Sequence, residues 1–180
     1  MRRLLGISMI LAGVAGFLLL GGQGFAPDLL RDLSFLFAEQ EDGKNIRGGA
    51  WVIDGDTLVI SGQRIRIAGI DAPELDQPCL TPSGMEWRCG DVARAALGRL
   101  VVGKTVECMG SGDDPFGRFI ATCHVDGRDA GGWMVERGWA MAYREFSLAY
   151  VAREVQARED QRGVWIGTMQ PPWEWRAAQR

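Results

Sequence analysis

Met1-Arg2-Arg3 precedes an uncharged, apolar run from Leu4 to Gly22. As a helix, those 19 residues would extend about 28 Å, close to the thickness of a bilayer core. The charge-free circumference and the two leading arginines argue against a buried core helix. The length predicts a signal anchor with the arginines cytoplasmic. The small residues Gly22 and Gly24 leave open a cleaved signal peptide ending before Phe25. Either form exports the downstream domain. From Pro27 to Phe37, Leu29, Leu30, Leu33, Leu36 and Phe37 recur at helical spacing and predict a short amphipathic helix near the membrane. Glu39 to Gly49 is polar and glycine-containing and reads as a linker. The segments are therefore 1–24 for the leader, 25–49 for the juxtamembrane stretch and 50–176 for the folded domain.

In the domain the period shortens to two. Trp51-Val52-Ile53 leads into the turn signal Asp54-Gly55, and Leu58-Val59-Ile60 resumes the strand. After Ser61-Gly62, the stretch from Arg64 to Ile70 alternates, placing Arg64 and Arg66 on one face and Ile65 and Ile67 on the other. Gly90 to Val102 returns to helical spacing and stops at Gly103. Thr105–Met109 and Phe119–Val125 read as strands, Gly131–Arg137 as a short helix and Ser147–Gln161 as a longer one. Short twisted strands with helices laid against them pack as a small barrel of the OB type, an α+β fold.

With 47% hydrophobic and 24% charged residues, the composition is that of a globular domain, not a disordered one. The net charge of −3 excludes a broad basic face, so any nucleic-acid contact rests on a few placed arginines. The four cysteines, Cys79, Cys89, Cys108 and Cys123, form no CxxC pair, and the only histidine is His124, which leaves little support for zinc. In an exported domain they read as two disulfides; inside a cell they would read as buried thiols.

Taken singly, the polar motifs are ordinary. Asp54-Gly55-Asp56-Thr57 suits a hairpin turn, Asp71-Ala72-Pro73-Glu74 a solvated loop, and Phe116-Gly117-Arg118 a turn before a surface arginine. Together, "VIDGDTLVI", "RIRIAGIDAPE" and "DPFGRFIA" resemble the staphylococcal nuclease (thermonuclease) family in order and spacing. Weaker matches come later in "MVERGWAMAY", the Tyr150–Arg158 helix and "GVW", so the resemblance covers about Gly48 to Trp175.

That resemblance implies a five-stranded OB barrel with about three packed helices and a calcium-dependent endonuclease acting on DNA and RNA to leave 3′-phosphate ends. Asp56, Asp71 and the backbone carbonyl of Ala72 would ligate Ca²⁺. Glu74 would serve or position the attacking water, and Arg66 and Arg118 would hold the phosphate. The chemistry agrees: Ca²⁺ prefers several oxygen ligands, guanidinium forks neutralise developing phosphoryl charge, and a nearby carboxylate can take a proton from water. Arg66 would reach the site because its strand runs into Asp71 past a bend at Gly69.

The sequence departs from the pattern in several places. Ala72 stands for the family's threonine, Phe116 for a frequent tyrosine, and Pro115 for a lysine of the type enzyme. The loop after Glu74 lacks that enzyme's lysines and carries Cys79 and Cys89. Tyr143 is a candidate for stacking on a base, with Glu145 where a second tyrosine would be. The expected pairing is Cys79–Cys89, closing that loop, and Cys108–Cys123, joining strands that the resemblance brings together. The competing reading is a catalytically silent OB module binding nucleic acid or protein at the envelope; a third is a structural domain in which the carboxylates only hold Ca²⁺.

Overall fold

Alternation in the strands decides which side of the sheet faces inward, and the computed structural model, which describes residues 43–180, shows the outcome. The expected signal anchor and amphipathic segment lie outside the described residues. Among the described residues, no helix is long and apolar enough to cross a membrane.

The chain runs β1 (Lys44–Val52), β2 (Thr57–Ile60), β3 (Gln63–Ile67), β4 (Ile70–Asp71), β5 (Pro78–Leu80), β6 (Glu86–Arg88) and α1 (Cys89–Val101). It continues through β7 (Thr105–Gly110), β8 (Phe119–Val125), β9 (Arg128–Asp129), α2 (Ala130–Glu136) and β10 (Met141–Ala142). The last elements are α3 (Val151–Glu159), a 3₁₀ turn at Gly163–Ile166 and α4 (Pro172–Ala178). The main sheet has the order β3-β2-β1-β7-β8-β9, and a parallel pairing of β3 with β8 closes five of its strands into a barrel.

Period-two burial makes that closure favourable. Ile65 and Ile67 are fully buried while Arg64 is exposed, and Phe119, Ala121 and Cys123 alternate with outward residues along β8. Leu97 and Leu100 of α1 and Met134 of α2 complete the core. The barrel expected from the sequence is therefore present, with four α-helices among the described residues where the resemblance implies about three. The addition is α4, seven residues started by Pro172 at its first position.

The barrel also begins earlier than expected. Residues 44–49 form strand instead of linker, with Lys44 opposite Gly110 and Gly49 opposite Thr105. Backbone pairing with β7, not hydrophobic alternation, holds that stretch, which is why its polar sequence reads as a loop.

The two disulfides are Cys79–Cys89 and Cys108–Cys123. The second joins residues directly opposite each other on β7 and β8. The first closes the β5–β6 hairpin over a small second core with Val164, Trp87 and Trp165.

Candidate active site

Asp56 sits in the hairpin between β1 and β2. The turn closes with Ile53 N–H donating to Thr57 O (3.0 Å), and Asp54 Oδ1 accepts from Asp56 N–H (3.0 Å). These bonds turn the Asp56 carboxylate inward. Its Oδ1 accepts from the Thr57 hydroxyl (3.1 Å) and its Oδ2 from the Ala72 amide (2.8 Å). Residues 56 and 72, far apart in sequence, are thus fixed to each other by a buried charge-assisted bond.

Asp71 is delivered by a bend. Gly69 adopts φ +74°, a left-handed conformation that side chains other than glycine adopt with strain. Its carbonyl accepts from Tyr143 N–H (2.9 Å), and β4 then pairs with β10, Asp71 opposite Met141. The reversal brings the Asp71 carboxylate back over the outward face of β3, where Arg66 Nη2 donates to Oδ1 at 2.7 Å. Arg66 Nη1 contacts Asp56 Oδ2. Although Arg66 points away from the barrel interior, its side chain is only 12% exposed and that of Asp71 is 0% exposed.

Glu74 comes next, on a tight loop. Gln77 holds it from both sides: Glu74 N–H donates to Gln77 Oε1 (3.2 Å) and Gln77 N–H to Glu74 O (3.0 Å). The start of α1 comes so near that a Cβ on Gly90 would lie 1.9 Å from the Glu74 carbonyl oxygen. The Glu74 carboxylate accepts from Arg176 Nη1 at 2.7 Å through Oε1. Arg176 also donates to Asp71, Nη1 to Oδ1 (3.1 Å) and Nη2 to Oδ2 (2.8 Å).

Arg118 stands apart from this network. It ends the turn Asp114–Gly117 and donates from Nε to Asp114 Oδ2 (2.6 Å), with Nη2 at 2.6 Å from the same oxygen. Among the described residues, no hydrogen bond links it to Asp56, Asp71 or Glu74. Arg118 directly precedes β8, whose first residue, Phe119, lies in parallel register with Ile65, the residue before Arg66. Phe116 is 75% exposed beside it, its ring centroid 5.7 Å from the guanidinium.

The charges are unevenly matched. Burial, then the charge of Asp56, pushes the Asp54 carboxyl up to about 7. Burial alone would raise Asp56 as well, but Arg66 and the Ala72 amide hold it below its ordinary value. Asp71 is raised by burial in spite of its bonds from Arg176. Burial works against the charge of Arg66, yet Asp56 and Asp71 outweigh it and hold its proton more tightly.

Four carboxyl groups therefore gather around Arg66 and Arg176. An oxygen-only donor set with carboxylate in excess, one member held up near neutrality, fits a hard divalent cation. Among the described residues, no three acidic, histidine or cysteine side chains are already grouped as metal ligands, because guanidinium groups lie between them.

Tyr143 is neither a free platform nor a core residue. Trp173 stacks on its ring at 5.4 Å and 5°, and Phe146 meets it edge-on at 4.7 Å.

The structure thus joins Asp56, Asp71, Glu74 and Arg66 in one network and brings in Ala72 through its amide, while Arg118 stays outside it, just before the neighbouring strand and bonded to Asp114. Sequence reasoning did not single out Arg176, Gln77, Asp54 or Asp114 as site residues. Asp54 and Asp114 stand inside quoted motifs, whereas Arg176 lies beyond the last of them. Gln77 has no sequence signal.

Comparison with known proteins places these features in context. Residues 64–167 match the family described as staphylococcal nuclease homologue. A succinoglycan biosynthesis protein, ExoI, of Rhizobium meliloti (strain 1021) is 37% identical over 67% of this chain and 64% of its own length. A micrococcal nuclease of Shigella flexneri is 31% identical over 72% of this chain and 79% of its own length. A probable staphylococcal-like nuclease, CAN2, of Oryza sativa subsp. japonica is 31% identical over 69% of this chain but 32% of its own length. The chain accordingly spans less than two thirds of the first and third of these relatives.

Proposed function

Because the chain belongs to the staphylococcal nuclease family, we propose that it is a calcium-dependent endonuclease that cleaves phosphodiester bonds of DNA, RNA or both and leaves 3′-phosphate ends. The observation that carries this reading is the single hydrogen-bonded network joining Asp56, Asp71, Glu74 and Arg66 from separate segments.

Asp56 and Asp71 would hold the cation, with the Ala72 carbonyl as a further oxygen. When bound, a divalent cation polarises a non-bridging phosphate oxygen and offsets its charge. The other tasks belong to the chain itself. Glu74 accepts the proton of the attacking water. Arg66 on β3 and Arg118, just before the adjacent strand β8, donate to the phosphate and neutralise charge as the pentacoordinate state forms. Tyr143 would stack on a base only where Trp173, which already covers its ring, gives way.

An exported location would suit the same reading. The apolar run from Leu4 to Gly22 would direct the domain to the envelope or beyond, with the membrane as partner if the run is retained, and two disulfides suit an oxidising compartment.

A silent binding module is the second reading, favoured by one observation: Arg66 and Arg176 already satisfy both oxygens of Asp71. Incubating the purified protein with single-stranded DNA and RNA, in calcium and in chelator, separates the two. The nuclease gives calcium-dependent fragments ending in 3′-phosphate. A silent module binds the strand and cuts nothing.

A further inference from the structure

Arg176 reaches the site from the last helix, 102 positions after Glu74. Its fork closes on both oxygens of Asp71, which fixes the plane of the guanidinium, and the same Nη1 then reaches Glu74 Oε1. Glu74 Oε2 accepts no hydrogen bond from the described residues. One oxygen of the carboxylate is held and the other is left for a proton donor. We infer that Arg176 is a positioning residue, which uses the buried Asp71 as its anchor to hold Glu74 in the orientation that receives a proton from water. This inference rests on the nuclease reading above.

The helix that carries Arg176 is built to stay in place. The Gln77 side chain, 0% exposed, donates from Nε2 to Gln170 O at 2.7 Å while its Oε1 accepts from the Glu74 amide. Gln77 therefore ties the backbone of the general base and the approach to α4 to one another. Leu80 and Thr168 exchange two backbone bonds of 2.9 and 3.0 Å. Trp173, one turn before Arg176, stacks on Tyr143. An exposed ion pair at a frayed terminus would be worth little. A fork anchored in this way, with a fully buried carboxylate as partner, fixes a direction as well as a charge.

Lysine and alanine separate these possibilities. A lysine offers a point charge in place of a planar fork, so it can reach Glu74 or Asp71 without orienting one through the other. The experiment measures kcat and KM on a single-stranded oligonucleotide in calcium for the full chain and for Arg176→Ala, Arg176→Lys, Glu74→Gln and the double variant Arg176→Ala/Glu74→Gln. Melting curves and circular dichroism verify each fold.

Arg176→Ala is expected to lower kcat about 10- to 100-fold, the cost of a misplaced reacting group, with KM within about twofold, and Arg176→Lys to recover part of the loss. In the Glu74→Gln background the alanine substitution should change kcat by no more than about twofold, because residues that act as a unit are not additive. A full additional loss in that background, or a loss expressed in KM, would make Arg176 a phosphate ligand and overturn the inference. A faster Arg176→Ala would make α4 a plug and overturn it too. A folded Arg176→Ala at the wild-type rate overturns this inference alone, whereas a wild-type chain that cuts nothing removes the nuclease reading and this one with it.

Discussion

Arg66 Nη2 lies 2.7 Å from Asp71 Oδ1, five residues away across the left-handed bend at Gly69. The contact pairs two side chains that the barrel would otherwise leave as buried charges on its outer face. It also places the arginine proposed to bind phosphate on the oxygens that would hold a cation.

Arg66→Ala is therefore expected to act on stability and on rate. It leaves Asp56 without its guanidinium and costs about 3 kcal/mol in the metal-free protein, the scale for breaking a buried pair. Calcium should restore part of that loss, since a cation supplies the missing positive charge. Urea denaturation with and without calcium measures both. Cleavage should fall on the order of 10²–10³ even in saturating calcium. Unchanged stability and unchanged rate would remove Arg66 from the site.

Arg118→Ala should lose activity to a similar degree, on the order of 10²–10³, with a smaller loss of melting temperature than Arg66→Ala, because Asp114 keeps the backbone donors of residues 116 and 118. Asp114→Ala should lower activity less, since it frees the guanidinium without deleting it. Parallel kinetics and melting curves of the two variants test the order. Equal losses would mean that the turn, not the arginine, is what matters.

Asp54 sets a pH dependence. A carboxyl raised on folding favours the fold while protonated, so its contribution is complete below the unfolded value of 3.8 and is lost as pH rises through about 7. The metal-free protein should lose melting temperature between pH 5 and pH 8 (about 3 °C or more), and Asp54→Asn should flatten that slope. Calorimetric scans across this range, in chelator, give the answer. An identical slope in Asp54→Asn would assign the dependence to another group.

Removing the Cys108–Cys123 bond tests the barrel. It closes a separation of 15 residues between facing strands, and its loss by paired substitution to alanine should cost about 3 kcal/mol on a chain-entropy scale. Non-reducing peptide mapping should recover the two bonded pairs and no free thiol. Cys89 linked to Cys108 would contradict the strand register itself.

How far the sequence reveals this fold depends on what holds each element. The β3 strand is legible because Ile65 and Ile67 alternate with arginines, and burial on one face enforces that alternation. The start of β1 is not, because Lys44–Gly49 is kept in the sheet by backbone bonds to β7, which leave no mark on side-chain pattern. The short β5–β6 hairpin escapes detection for a related reason: a proline and a disulfide shape it more than propensity does. Asp56, Asp71, Glu74 and Arg66 are legible through motif and chemistry. Gln77 and Arg176 are not, since their roles arise only when the chain's end folds back on the loop after Glu74. Asp114 is visible in its motif, yet its grip on Arg118 is a matter of turn geometry.

The most direct measurement is single-turnover cleavage of a short single-stranded oligonucleotide, in saturating calcium, by the full chain and by Glu74→Gln. Glutamine keeps the size and much of the hydrogen bonding of Glu74 but cannot accept a proton from water. The wild-type chain should cut, and the folded variant should bind the same strand yet cut about 10²–10⁴ times more slowly. A folded Glu74→Gln that cuts at the wild-type rate would contradict the assignment of Glu74, and with it the account of how this site works.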